Sequence, residues 1–502
     1  MKRILPLFLM PAIFAVQPVF SQSGTLDTTF GTNGVTATFF GGQPNVLWGM
    51  QLQADNKIVA VGDYASNSTG NKFTVARYLG DGTLDDTFGT DGLVVSLYGA
   101  KCGAKSVAIQ EDGKIIVAGY TSDQDNNSGN VRQMLIRYTA DGDIDTSFAT
   151  DGVFTAVLDG DTANVVRLQS DGKILVGAGN STGGNQFIFR LLENGTLDTT
   201  FGDAGYVVTG FSVEDIILAN NGTIYAASYH AVSKIDTNGV IDTAFGNNGL
   251  AIVSPGVGDI RDYGGFAFFE DGSFLVSGGV RDTRYVAFLI KYNPDGTKDT
   301  DFGNNGVILN YPADGEQDFG ENVFIKYDKI FWTSNIGPAT NYDFNLRVLE
   351  LDGTPNTSFG TNGSVRLPIG EGHDYLRAAL FQPDGKIVMG GRTWLGGFTL
   401  IRLNTEESLG VNQPIFAENG FAVYPNPVNS ASVLAVNLQN NDVLTIKLYD
   451  VRGMLVKTVA ENQNFTSGQS QLPLSLNGLG QGIYFLTVAN QQGKTNTIKI
   501  IN

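Results

Sequence analysis

Leu84-Asp85-Asp86-Thr87-Phe88-Gly89-Thr90-Asp91-Gly92, followed by Asp112-Gly113-Lys114-Ile115-Ile116-Val117, is one copy of a sentence that the chain repeats seven times. Its phenylalanine recurs at Phe30, Phe88, Phe148, Phe201, Phe245, Phe302 and Phe359, with spacings of 58, 60, 53, 44, 57 and 57 residues. The second phrase recurs at Asp55-Asn56-Lys57, Asp171-Gly172-Lys173, Asn221-Gly222-Thr223, Asp271-Gly272-Ser273, Asp328-Lys329 and Asp384-Gly385-Lys386. A basic residue ends a strand in every unit, at Arg77, Arg137, Arg190, Lys234, Lys291, Arg347 and Arg402. A repeat of this length points to a solenoid or a propeller.

Each unit divides into four short strands. In the second they run from Gly92 to Leu97, Ala104 to Gln110, Lys114 to Tyr120 and Gln133 to Tyr138. The continuous apolar run at Ile115-Ile116-Val117-Ala118 suits a strand covered on both faces. Asp112-Gly113 is a hairpin turn. Seven such units predict an all-β chain, a seven-bladed β-propeller of four-stranded blades over residues 22–410. The rival, an open β-solenoid, has shorter and more uniform rungs.

The connector is expected to be structural. Asp85 accepts backbone N–H groups in an Asx turn, Thr87 assists, and Phe88 plugs between blades. The functional alternative is calcium at Asp81 and Asp85, since calcium takes six to eight oxygens. The chain opens with Leu26-Asp27-Thr28-Thr29-Phe30-Gly31 but lacks the strand before it, whereas the last unit loses the motif after Leu403. The N-terminal segment is therefore expected to dock after the last blade and close the ring.

Bulk properties set limits. The 64 glycines and 18 tyrosines suit a turn-rich β protein, and a hydrophobic fraction of 42% suffices for a packed core. Formal charge is -18 and pI about 4.5, which argues against nucleic acid. Cys102 is the sole cysteine, so no disulfide forms within the chain. Only His230 and His373 carry imidazole, which excludes a three-histidine metal site. Lys2, Arg3, the apolar stretch from Ile4 to Phe20, and Val19 and Ser21 before Gln22 read as a signal peptide over 1–21. A membrane anchor is the alternative, although no later apolar run is long enough to span. An integral membrane protein is not expected.

The turns between strands two and three and between units are regular and belong on one face. The remaining connections vary and belong on the other, as at Thr121 to Asn130, Asn180 to Asn185 and Ile336 to Tyr342. A constant face opposite a variable one suits a scaffold presenting a binding surface. The loops between strands one and two are acidic, with strand one expected along the axis. Asp159, Asp161, Asp259, Asp262, Asp314, Asp318 and Asp374 are thus candidates for a cation site, calcium being possible, and Glu214, Asp215, Glu316 and Glu371 share these loops. An ordinary solvated face is the alternative. Tyr263, Phe319 and Tyr375 are candidates for stacking on a sugar ring. Paired carboxylates permit acid–base chemistry, and Asp374 stands beside His373, but no unit carries an isolated catalytic motif.

The repeats resemble the delta-60 repeats of bacterial extracellular proteins, over about residues 24 to 404. That resemblance implies a propeller and no particular reaction. Departures are Phe148-Ala149, the shortened Asp328-Lys329, Lys298 before Asp299, and Pro355-Asn356 before Phe359.

After a linker at 411–420 the grammar changes. Tyr424-Pro425-Asn426-Pro427, the alternation from Leu444 to Asp450, Arg452-Gly453, and Gly482-Ile483-Tyr484 read as a small β-sandwich over 421–502. This segment resembles the type A C-terminal sorting domain of the type IX secretion system of Bacteroidetes. The resemblance implies recognition by that secretion machinery, with Tyr424, Pro425, Asn426, Pro427, Gly453, Gly482 and Tyr484 carrying the match, and delivery to the cell surface or medium. The expected function is a secreted or surface propeller that binds or displays, with polysaccharide the leading ligand. A protein-binding adhesion or structural role and a polysaccharide-active enzyme are the alternatives.

Overall fold

The computed structural model describes residues 23–41, 45–64, 71–124, 131–156, 162–179, 186–394 and 396–405. Beyond these it describes 421–424, 428, 432–438, 441–450, 454–476, 478–480, 482–490 and 495–501. The chain divides into two compact units, Met1–Thr405 and Glu406–Asn502. The expected signal peptide and linker lie outside the described residues.

The first unit is a ring of seven four-stranded antiparallel sheets. Blade 1 is built from Asn45–Leu52, Ile58–Tyr64, Lys72–Tyr78 and Leu93–Ser96. Blade 2 is Lys101–Ile109, Ile115–Ser122, Val131–Tyr138 and Val153–Thr155. Blades 3 to 6 begin at Thr162–Leu168, Asp215–Leu218, Asp259–Phe268 and Glu316–Lys326, and blade 7 at Tyr375–Phe381. These first strands touch one another in sequence, and Tyr375–Phe381 touches Asn45–Leu52, so the ring is closed.

The strand order corrects one expectation. The blade does not start where the repeated phrase starts. The strand from Leu93 to Ser96 is the outermost strand of blade 1, not the axial strand of blade 2. The Leu-Asp-x-x-Phe-Gly connector therefore joins the third and fourth strands within a blade. The acidic loops run from an outermost strand to the next axial strand. The division into a constant and a variable face is unchanged, because the same turns alternate.

Closure follows the predicted route. Val35–Thr38 pairs with Phe398–Leu403 as the outermost strand of blade 7. Gly24 N–H donates to Asn404 O at 2.8 Å and Asn404 N–H to Thr25 O at 2.9 Å.

The repeated residues form one device. In blade 1, Asp85 Oδ1 accepts from Thr87 N–H and Oγ1–H, and Asp85 Oδ2 takes Arg77 Nε at 2.7 Å and Lys57 Nζ at 3.2 Å. The Arg77 guanidinium covers the Phe88 ring at 4.6 Å and donates to the Ala140 carbonyl of blade 2. Blades 2, 3 and 7 repeat this with Arg137 to Glu193 O, Arg190 to Thr237 O and Arg402 to Gly80 O. One arginine thus ties its connector to the next blade, while the buried phenylalanine fills the seam. Gly89, at φ 55°, carries the chain past Leu93 O, which a Cβ would approach to 2.4 Å. These contacts account for the aspartates of the repeat as turn residues. Among the described residues no group of three or more His, Cys, Asp or Glu is gathered so as to hold a metal ion.

Blade 6 departs from the device. Asn356 replaces the connector aspartate and keeps its turn bond to Ser358, but it offers no charge. Arg347 instead reaches Asp318 at 2.5 Å on the axial strand.

The second unit is a β-sandwich. Phe421–Tyr424, Val433–Leu438 and Gly468–Pro473 form one sheet. Leu455–Phe465, Asp442–Asp450, Ile483–Asn490 and Thr495–Ile501 form the other. Leu434, Val436, Ile446, Leu448, Leu486 and Ile500 are buried between them. Alternation along each strand places these side chains on one face.

Candidate functional site: the axial channel

The seven axial strands surround a cavity of about 930 Å³. An axial strand has no neighbour on its inner side, so its edge and any side chain turned inward face this space. What turns side chains inward is a β-bulge. The pairing of the axial strand with the second strand skips Trp48 in blade 1, Lys105 in blade 2, Asn164 in blade 3, Gly264 in blade 5, Glu321 and Asn322 in blade 6, and Arg377 in blade 7. Blade 5 has a second bulge at Arg261, and the short axial strand of blade 4 pairs without one. An extra residue in one strand bends it and re-aims its side chain. Here five blades do so at one level, blade 5 placing the side-chain-free Gly264 there, and the skipped residues all line the cavity.

The opposite strand shows why this fits. Gly62, Gly119, Gly278 and Gly391 stand beside the bulges, and a Cβ on Gly119 would come 2.0 Å from Gly103 O. At these four positions a Cβ would crowd the bulged strand, whereas blades 3 and 6 hold Ala178 and Ser334 at the same place.

The ring is rich in paired charge. Trp48 Nε1–H donates to Asp63 at 2.7 Å, Lys105 Nζ lies 3.2 Å from the Trp48 ring centre, and the Arg377 guanidinium lies 5.0 Å from it. Arg167 meets Asp215 at 2.6 Å, and Tyr263 Oη is 3.5 Å from the same carboxylate. Ser212 donates to Glu214 at 2.8 Å. Glu321 accepts from Asn335 at 2.6 Å and faces Arg377 at 3.4 Å.

Burial shifts these groups. It raises Glu321 to about 7, because Arg377 and Asn335 only partly offset desolvation and Asp262 adds to it. Burial likewise raises Glu214, Asp215 and Asp262, and lowers Lys105 to about 8. Groups displaced in this way gather at functional sites. Two buried atoms of the bulge ring, Asn322 Oδ1 and Arg377 Nε, have no hydrogen-bond partner among the described residues.

Of the residues singled out in the sequence, Glu214, Asp215, Asp262 and Tyr263 line the channel. Asp259 is exposed at the start of its strand, 3.4 Å from Arg261. Asp314 is fully exposed beside Arg284, and Asp318 is buried against Arg347. Asp374 is buried and accepts backbone N–H groups from Ile369, Gly370 and Trp394, which fastens two loops of the variable face together. Phe319 and Tyr375 stand on that face with Tyr342 and His373. Asp159 and Asp161 lie outside the described residues. In the second unit Tyr424 ends its strand, Gly482 precedes one, and Tyr484 is buried with its hydroxyl donating to Gly480 O at 2.7 Å. Pro425, Asn426, Pro427 and Gly453 lie outside the described residues.

Trp48, Lys105, Asn164, Arg167, Glu321, Asn322 and Arg377 were not legible as site residues. Trp48, Lys105 and Arg377 leave one visible trace, the glycine five positions after the turn lysine at Gly62, Gly119 and Gly391, with Gly278 in blade 5 the same distance after Ser273; in the blades of Asn164 and Glu321 that place holds Ala178 and Ser334.

The sequence model described as "Secretion system C-terminal sorting domain" matches residues 422–502, the whole sandwich. A β-propeller domain of unknown function, DUF5122, matches residues 53–88, 110–148 and 169–201. The chain is a seven-bladed β-propeller carrying a type IX secretion sorting domain. It is exported to the cell surface or medium, and the sorting domain is its contact with the secretion machinery. Among the described residues no helix is long and apolar enough to cross a membrane. No curated protein matches the sequence. Solved structures similar to this propeller include a catalytically inactive virginiamycin B lyase from Staphylococcus aureus, with 11% identity, TM-score 0.41, and 74% of this chain and 99% of that one covered. The soluble aldose sugar dehydrogenase of Escherichia coli has 9% identity and TM-score 0.35, covering 74% and 99%. The β-propeller domain of the trilobed protease of Pyrococcus furiosus has 12% identity and TM-score 0.37, covering 72% and 97%.

Proposed function

We propose that the propeller is a carbohydrate-binding module and that the bulge ring of its channel holds a sugar unit. The observation that carries this reading is the ring itself. The cavity interleaves Lys105, Arg167, Arg261, Lys326 and Arg377 with Glu214, Asp215, Asp262 and Glu321, so cations and carboxyls stand there in nearly equal number on a strongly acidic chain. A charged ligand would upset that balance. Hydroxyl groups, each a donor and an acceptor, match a site that mixes both kinds of partner. The test is calorimetric titration of the full chain with a neutral glycan panel, repeated with Asn164→Ala and Glu321→Gln. Selective binding weakened by both variants supports the reading. Binding unchanged in both places the ligand elsewhere.

A second reading rests on Glu321. A carboxyl near 7 is partly protonated at neutral pH and can donate a proton to a leaving oxygen, with Asp262 as a neighbouring carboxylate. A polysaccharide-active enzyme would release reducing ends from the bound glycan and lose that release in Glu321→Gln. Binding without release leaves the module reading. If no glycan binds, protein adhesion or display becomes the better account.

A further inference from the structure

We propose that the variable face of blades 5 to 7 is a track for a neutral, β-linked polysaccharide chain leading into the channel. This rests on the sugar-binding reading of the ring and adds the form of the ligand. A continuous series of rings crosses this face. Tyr285 and Phe319 have centres 4.5 Å apart, Phe319 and Tyr342 5.3 Å, Tyr342 and His373 5.0 Å, and His373 stacks on Tyr375 at 5.3 Å. Trp394, 68% exposed, lies over Gly372, where any Cβ would come 2.4 Å from its ring. Arg377 joins the series to the channel, since its guanidinium is 5.9 Å from the Tyr375 ring and 5.0 Å from Trp48.

The rings are held in place rather than left to drift. Tyr342 Oη–H donates to Gln317 at 2.6 Å, and Asp374 fixes the backbone of Ile369, Gly370 and Trp394. Trp394 is exposed, and Tyr285, Phe319, His373 and Tyr375 are partly exposed around the buried Tyr342, so these oriented rings suit a ligand with flat apolar faces at intervals. A β-linked pyranose chain with equatorial substituents presents such C–H faces, with hydroxyls along its edges for polar partners. Formal charge of -18 disfavours an anionic glycan.

The test is titration of the full chain with cello- and xylo-oligosaccharides of two, four and six units. Stacking predicts affinity that rises with length, by about threefold to tenfold for each ring engaged. Trp394→Ala and His373→Ala should remove that rise and leave the disaccharide unchanged. Glu321→Gln should weaken all lengths alike. Affinity independent of length, or a hexasaccharide unaffected by both aromatic variants, overturns the track while leaving the ring reading intact. Failure of every oligosaccharide to bind overturns both.

Discussion

Asp27 and Arg402 are 375 residues apart in the chain and 2.7 Å apart in the fold. They form the same pair that Asp85 and Arg77 form across eight residues. Lys386 completes the pair at 2.8 Å, as Lys57 does in blade 1. The ring is therefore closed by a copy of its own repeat split between two distant segments. Removing one partner of a buried ion pair costs about 3–5 kcal/mol. Asp27→Ala should lose this and also free the N-terminal strand, so that denaturant midpoint falls further than in Asp85→Ala and proteolysis near residue 30 accelerates. Equal midpoints and unchanged proteolysis would remove the special role of closure.

The same pair sets acid sensitivity. Burial pushes Asp27 upward, but hydrogen bonds from Lys386 and Thr29 and the charge of Arg402 outweigh it and hold the carboxyl at about 2, below its ordinary 3.8. Asp85 is brought to about 2 in the same way. A depressed carboxylate stabilises the fold above its unfolded pKa, and that contribution is lost as pH falls through the folded one. Stability should hold down to about pH 4 and decline towards pH 2, and Asp27→Asn should shallow the decline. Acid titration followed by near-ultraviolet circular dichroism measures this. An unchanged slope in Asp27→Asn would sink the assignment.

Gly119 faces the Lys105 bulge, and a Cβ there meets Gly103 O at 2.0 Å. Gly113, in the regular turn of the same blade, has φ 85° but an open Cβ direction, its nearest contact being Ala140 Cβ at 3.4 Å. Gly119→Ala should cost about 3 kcal/mol through overpacking, against about 1 kcal/mol of backbone strain for Gly113→Ala. Gly119→Ala should also weaken any channel ligand by displacing Lys105. Comparing urea midpoints of the two variants checks the order, and a reversed order would mean that the bulge yields cheaply.

The contrast between these glycines explains what was legible. Gly113 belongs to local turn chemistry, repeated with nearly the same residues, so turns, seams and closure could be read. The bulge residues hold equivalent places but share no side-chain type: Trp48, Lys105, Asn164, Glu321 and Arg377 resemble one another only in being skipped. A one-residue slip of register reverses which side chains face inward, and it depends on pairing that alternation alone does not reveal. The place of the axial strand is hidden for a related reason. The loudest motif marks a connector inside the blade, and nothing in it says which flanking strand is nearer the axis.

Glu321 gives a pH signature of opposite sign. Its folded pKa of about 7 exceeds the ordinary 4.5, so the folded state holds a proton that the unfolded chain releases. Its effect is absent below about pH 4.5 and destabilises increasingly as pH rises through about 7. Glu321→Gln carries no ionisable group and should be more stable than the parent above pH 7, by about 2–3 kcal/mol. Below pH 5 the two should converge. Melting temperatures at pH 5, 6, 7 and 8 decide it, and a constant difference between the two proteins would show that Glu321 keeps its charge at no cost.

Thr495–Ile501 is the edge strand of the sorting sandwich, pairing along its length with Ile483–Asn490 and burying Ile500 in the core. Deleting it opens that core and exposes the edge of the neighbouring strand. The propeller is a separate compact unit and needs none of these residues to close its ring. The deletion should therefore leave a folded propeller inside the periplasm, resistant to protease added outside intact cells and released by opening the outer membrane. Ile500→Asp should act in the same direction, since burying an unpaired carboxylate disrupts the sandwich without shortening it. Cell fractionation with antibody against the propeller measures both. Surface delivery at the parental level in the deletion would mean that the secretion machinery reads a part of residues 421–490 that does not depend on an intact sandwich.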